Sequence, residues 1–279
     1  MTNPSEAKRP RLSCTTDDLH PDPVESASPD IVSSSHQPPP AEVASTINLV
    51  FTNNTPPTSG NIEYALHKIG DAKNAYTKHE ILQALNDLNG WAHHSNNPRE
   101  FCNEFFELAG ISRILKFLMV PSNMGDMEYV HLVGCTISNC IYRGQNDENR
   151  DTAERMAKKF VERGGVHTML LANEDYSGGS ESNTLMAVDS IWVVLGNVFS
   201  QKTVFDDIDK VKQLNILDDF LATLRLLNGT NNETQVPRIK CQLLQVLGFL
   251  ICPNTKLVAG DFEGRDVFQT CIDGMTDSK

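Results

Sequence analysis

Residues 187–200 read AVDSIWVVLGNVFS, an almost unbroken apolar run with one acid, Asp189, near its start and one amide, Asn197, near its end. Two other stretches share its character: GCTISNCIYRG at residues 134–144 and KCQLLQVLGFLIC at residues 240–252. With Ile137, Leu195 and Leu247 taken as equivalent, the steps are 58 and 52 residues, and Leu88 lies 49 residues before Ile137. An apolar helix recurring at such an interval marks a repeat architecture. Helices this apolar cannot stand alone, so neighbouring units must cover them. The run therefore sets the fold class, an all-α chain of stacked helical units, and leaves function open.

A corner precedes each long helix. The three corner stretches are ELAGISRIL at residues 107–115, ERGGVHTML at 162–170 and KQLNILDDF at 212–220. Their apolar positions Ile111, Val166 and Ile216 are 55 and 50 residues apart. In the first unit the pattern predicts a helix through Phe101, Phe105, Phe106 and Leu108, then one through Ile111, Ile114, Leu115 and Leu118 that Pro121 breaks, then a long helix over 124–144. The second unit predicts a helix over 149–163, a corner at Gly164 and Gly165, where glycine takes positive φ without steric cost, and a restart over 166–171. The third predicts a helix over 204–214, a corner at Asn215, a helix over 216–227 and a long helix from Pro237 to Ile251. Helices over 61–69 and 78–91 precede these units. The second of them carries an apolar face of Ile81, Leu82, Leu85 and Leu88 and ends in the polar stretch HHSNNP at 93–98. A weak amphipathic piece at 265–275 follows the last unit.

Residues 1–60 hold ten of the fourteen prolines and a single aromatic, Phe51. Such a segment buries too little surface to offset its ordering entropy, so it is expected to be a disordered tail. A small apolar patch at 47–51 is its exception. Lys8, Arg9 and Arg11 flank Pro10 and match a short nuclear import signal, an extended basic peptide in an accessible tail. The formal net charge is −12. This balance argues against nucleic acid or an anionic membrane surface as partner. The seven cysteines fall mostly in apolar helices, with no secretion-type start, and read as small hydrophobes in a reducing compartment. No run reaches the roughly 18 apolar residues of a membrane span.

Helix, corner, second helix, loop and long apolar third helix, in that order, resemble the armadillo family. The resemblance rests on the three corner stretches and on CTISN at 135–139 and VVLGN at 193–197, and it covers residues 75–279. Units of that family run about 42 residues, which would place insertions in the loops after the second helices here. HEAT-type repeats resemble the pattern closely as well. The resemblance implies a right-handed α-solenoid of three-helix repeats over residues 61–279 whose third helices line a concave protein-binding groove. In the family's peptide carriers an Asn of the third helix grips the ligand backbone, and a Trp one turn earlier stacks beside it. Asn139 and Asn197 match the Asn and are the candidate partner-binding residues. Their other reading is that they cap or bridge helix ends. Cys135 and Val193 stand where the Trp would, Trp192 is one residue out of register, and Phe249 replaces the Asn of the last unit. That ladder is broken, so the carrier mechanism ranks last among the functions implied.

No chemical motif offers a competing reading. The sequence lacks a P-loop, a dinucleotide fingerprint, G-x-S-x-G and H-E-x-x-H, and pairs no nucleophile with a base. His131 and Cys135 share a helix face, but Cys140, five residues on, points well round the helix, and His167 is distant in sequence. These read as helix interior rather than a metal site. His93 and His94 read as solvent-facing. Asp206, Asp207, Asp209, Asp218 and Asp219 form a solvated acidic patch or a contact for a basic partner. The expectation is a non-catalytic scaffold or adaptor, with no cofactor or small-molecule substrate, that binds a protein or extended peptide and is cytoplasmic and/or nuclear. A structural accessory subunit acting through its end faces is the alternative.

Overall fold

A computed structural model describes residues 57–70, 76–94, 98–142, 150–176, 181–201, 204–205, 207–252 and 256–276. By backbone contacts the chain divides into Met1–Thr46 and Ile47–Lys279, and every described residue belongs to the second unit. Lys8, Arg9, Arg11, the patch at 47–51, Asp206 and nearly all of the expected tail lie outside the described residues.

Among the described residues the secondary structure is wholly helical: α1 (Ser59–Gly70), α2 (Lys78–His94), α3 (Pro98–Glu107), α4 (Gly110–Leu118), α5 (Pro121–Met124), α6 (Met127–Ile141), α7 (Arg150–Glu162), α8 (Gly165–Tyr176), α9 (Ser182–Phe199), α10 (Lys210–Asn228), α11 (Gln235–Leu250), α12 (Ala259–Phe262) and α13 (Val267–Thr276). α1 begins two residues inside the segment assigned to the tail, and α2 runs through His93 and His94 rather than stopping before them. The helix expected over 124–144 is shorter: Pro121 opens the separate turn α5, and Asp126 then caps α6 by accepting from the Glu128 and Tyr129 amides.

The long apolar helices pack in series. α2 lies on α6, α6 on α9 and α9 on α11. A second series runs α1, α4, α8, α10, α13, and each of α1, α4, α8 and α10 also packs on a member of the first. Leu195 and Ile137 are fully buried, and Leu247 is partly buried against the same core. Gly134 permits a close approach of α6 to α9, since a Cβ there would sit 2.7 Å from the Ser190 hydroxyl of α9.

Two of the three expected corners are present, and their construction explains why the third is absent. Ala109 (φ 56°) and Gly164 (φ 76°) turn the chain through the left-handed region. The next residues, Gly110 and Gly165, carry no Cβ, and in each case the phenylalanine five residues earlier lays its ring on the vacant position. A Cβ would lie 2.4 Å from the Phe105 ring at Gly110 and 2.5 Å from the Phe160 ring at Gly165. In the third unit the equivalent positions hold Lys210, Leu214 and Asn215. With no ring to seat and no residue at positive φ, α10 continues unbroken from Lys210 to Asn228, so the corner expected at Asn215 does not form.

The junction of α8, α9 and α10 is polar inside. Trp192 is fully buried and donates its indole N–H to Asn173 Oδ1 at 3.1 Å, and Asn173 Nδ2 donates to Thr223 Oγ1 at 3.0 Å. Nearby, burial lifts the Asp219 carboxyl to about 6, with the charges of Glu174 and Asp218 adding to the shift. A carboxyl whose folded pKa exceeds its unfolded value binds more protons when folded. Its contribution therefore lowers stability as pH rises between the two values. Asp219→Asn is expected to raise stability at neutral pH by about 1 kcal/mol, after discounting for partial solvent screening. It should also flatten the decline between about pH 4 and pH 6. Urea titrations across that range test this, and an unchanged slope would remove Asp219 as its source.

Candidate protein-interaction face

The partly exposed residues of α6 are not scattered. His131, Cys135 and Asn139 recur at four-residue spacing and form one stripe, continued by the exposed Tyr142. On α9 the corresponding stripe is Met186, Val193 and Asn197, with Asp189 at its margin. On α11 it is Arg238, Gln242 and Gln245. Helical periodicity alone places each set on one side of its helix.

Polar contacts cross every seam of this series. Asn139 Nδ2 donates to Asn89 Oδ1 of α2 at 2.8 Å. Asn197 Nδ2 donates to Ser138 of α6, at 2.8 Å to Oγ and 3.3 Å to the carbonyl. Arg238 Nη2 lies 3.0 Å from Asp189 Oδ2, joining α11 to α9. His131 Nδ1 lies 3.2 Å from the Met186 carbonyl. A carbonyl can only accept, so Nδ1 carries the proton there. Both candidate residues thus sit on the face, and the amide nitrogen of each holds a neighbouring helix.

The electrostatics are quiet. Burial pulls the His131 pKa down, the Met186 hydrogen bond opposes this and the Arg238 charge adds to it, so the ring is neutral near pH 7. The Cys135 thiol lies 3.8 Å from His131 and is pushed up to about 11 by burial and by Asp189. It therefore stays protonated, in a form that is neither a nucleophile nor a metal ligand. Among the described residues no group of three or more His, Cys, Asp or Glu is placed to hold a metal ion, and no helix is long and apolar enough to cross a membrane. The described cysteines are free; Cys102 and Cys140 are buried as expected, whereas Cys241 is exposed. The acidic set is dispersed in role: Asp209 caps α10, Asp218 pairs with Arg265 at 2.8 Å, and Asp219 is partly buried.

Sequence reading found Asn139 and Asn197 but not their partners Asn89 and Ser138, nor the Asp189–Arg238 pair. The usable signal was the polar minority in each apolar helix. Compared with protein families, curated proteins and solved structures, the chain matches none.

Proposed function

We propose that the chain is a non-catalytic helical-repeat scaffold, an α-solenoid of armadillo-like units, that binds a protein or extended peptide along the face of α2, α6, α9 and α11. The observation that carries this reading is the series itself: α6, α9 and α11 pack in succession, and each offers a partly exposed stripe that includes an amide side chain. Such a surface suits an extended backbone, because an amide offers one donor and one acceptor without reading side chains. Fully buried Trp192 is spent on Asn173 rather than on a ligand. The grip therefore lacks the cation–π contacts that select Lys or Arg, which sets it apart from a nuclear-transport carrier.

A photo-crosslinking residue at Val193 should capture a partner that the same residue at Lys158, an exposed position of α7, does not. Affinity for that partner is then measured by calorimetry with Asn139→Ala and Asn197→Ala combined. Because both amide nitrogens bridge helices, the double variant is expected to lose about 1–2 kcal/mol of stability, and about 1–3 kcal/mol of affinity if the free carbonyl side also grips a ligand. Lost stability with unchanged affinity assigns the pair to bracing alone. Contacts confined to residues 1–60 would overturn the groove.

A second reading, an accessory subunit that caps a larger assembly, draws on α13. There Phe268 and Ile272, one turn apart, are 76% and 49% exposed. We place the protein in the cytoplasm, the nucleus or both, with Lys8, Arg9 and Arg11 as the import signal. Residues 1–20 fused to a reporter too large to diffuse through the pore should drive it into nuclei, and alanine at the three cations should abolish this. Equal distribution of the two reporters removes the signal.

A further inference from the structure

We propose that the cleft beside the α7–α8 corner docks an acidic peptide segment of a partner protein, one that carries an apolar residue among its carboxylates. The cleft is open, measures about 360 Å³, and is lined by Ser112, Arg113, Leu115, Lys116, Met119 and Arg163. Arg113 and Lys116 are three residues apart on α4 and so share a face. Arg163 comes from the end of α7, brought there because α4 packs on both α7 and α8. Met119 closes the gap, its methyl 3.8 Å from where a Cβ on Gly164 would stand.

Charge identifies the occupant. Carboxylates outnumber Lys and Arg by 36 to 24, and several cations elsewhere find them: Lys78 with Asp126 and Glu128, Arg155 with Glu107, Lys210 with Asp261, Arg238 with Asp189 and Arg265 with Asp218. Among the described residues none of Arg113, Lys116 and Arg163 has an ion-pair partner. Lys116 and Arg163 are exposed and supply the open cations of the cleft. Arg113 flanks it, its Nε 3.9 Å from where a Cβ on Gly70 of α1 would stand. Incoming carboxylates meet charge of opposite sign. On the same wall the Ser112 hydroxyl is buried without a hydrogen-bond partner among the described residues. Among the lining residues Met119 is 44% exposed, and a methionine adapts to varied apolar shapes. An apolar side chain flanked by carboxylates meets both features, whereas a nucleic-acid backbone meets only the cations and is repelled by the remaining charge. This site lies on the second helix series and stands or falls independently of the α2–α6–α9–α11 face.

The test is fluorescence anisotropy of a fluorescein-labelled glutamate-rich peptide with a central leucine, titrated with the full chain. Saturable binding is expected, weakening as NaCl rises from about 0.1 M to about 1 M, which shortens the screening length from about 10 Å to about 3 Å. Lys116→Glu with Arg163→Glu should weaken it about tenfold while the thermal melt is unchanged. If the melt shifts, Lys116→Ala with Arg163→Ala replaces that pair and should still weaken binding several-fold. Lys158→Glu with Arg225→Glu makes the same charge change at two exposed positions elsewhere and should leave affinity intact. A peptide with serine for the central leucine should bind more weakly. The proposal is overturned by an absence of saturable binding, by equal weakening from the control pair, or by equal affinity for a single-stranded oligothymidine.

Discussion

Alanine at Gly165 is expected to destabilise the helical unit by about 3 kcal/mol, at the upper end of overpacking costs. Helix propensity taken alone predicts the opposite sign, since alanine is favoured over glycine in a helix by about 1 kcal/mol. The packing overrides it. A Cβ at Gly165 would lie 2.5 Å from the Phe160 ring, which is fully buried. The ring must leave its rotamer or push against a core packed at crystal-like density. Urea unfolding of Gly165→Ala measures the loss, and Gly110→Ala should behave alike because Phe105 covers it in the same way. Gly248, in α11, is the control, as nothing lies within 4 Å of a Cβ there. Gly248→Ala should be neutral or stabilise by up to about 1 kcal/mol. Phe160→Leu should relieve part of the Gly165→Ala penalty, a non-additivity that reports direct contact. If Gly165→Ala is as mild as Gly248→Ala, the ring does not hold the corner.

The same Phe–Gly contact separates what the sequence could disclose from what it could not. Apolar periodicity was sufficient for the helical content, because a helix buried on most sides has few polar positions to confuse the pattern. It nevertheless carried one helix over 204–214 through residues 207–209, which lie outside helix before α10 begins at Lys210. Ile111, Val166 and Ile216 align by hydrophobicity alone, and that alignment puts a corner at Asn215. Phe105 with Gly110 and Phe160 with Gly165 supply the stricter rule. Lys210 and Asn215 do not satisfy it, which is why α10 runs on unbroken. Asn139 and Asn197 stood out as amides in apolar runs. Whether such an amide reaches outward or to the next helix depends on Asn89 and Ser138, 50 and 59 residues away, and no local signal carries that. Arg163 and Lys116 are likewise 47 residues apart, and only the packing of α4 against the α7–α8 corner makes them one cluster.

Leucine at Asn173 is expected to cost about 3 kcal/mol: about 1–3 for an indole N–H left buried without an acceptor, and about 1 for the second bond lost. Leucine and asparagine are close in size, so a cavity contributes little, and the loss reports polar satisfaction. Asn173 is 1% exposed and belongs to α8; its side-chain carbonyl accepts from the Trp192 indole N–H of α9, and its amide nitrogen donates to Thr223 on α10. One side chain thus ties three helices together. The Thr223 hydroxyl donates a hydrogen bond to the Asp219 backbone carbonyl at 2.9 Å, so it can accept from Asn173 and donate onward at once. In a low-dielectric interior such a chain is strong when complete and costly when cut. A double-mutant cycle isolates the indole bond: in a Trp192→Phe background there is no N–H to strand. Asn173→Leu should therefore cost about 1–2 kcal/mol less there than in the native chain. Urea melts of the four proteins close the cycle. Strict additivity would mean that the Trp192–Asn173 bond contributes nothing to stability.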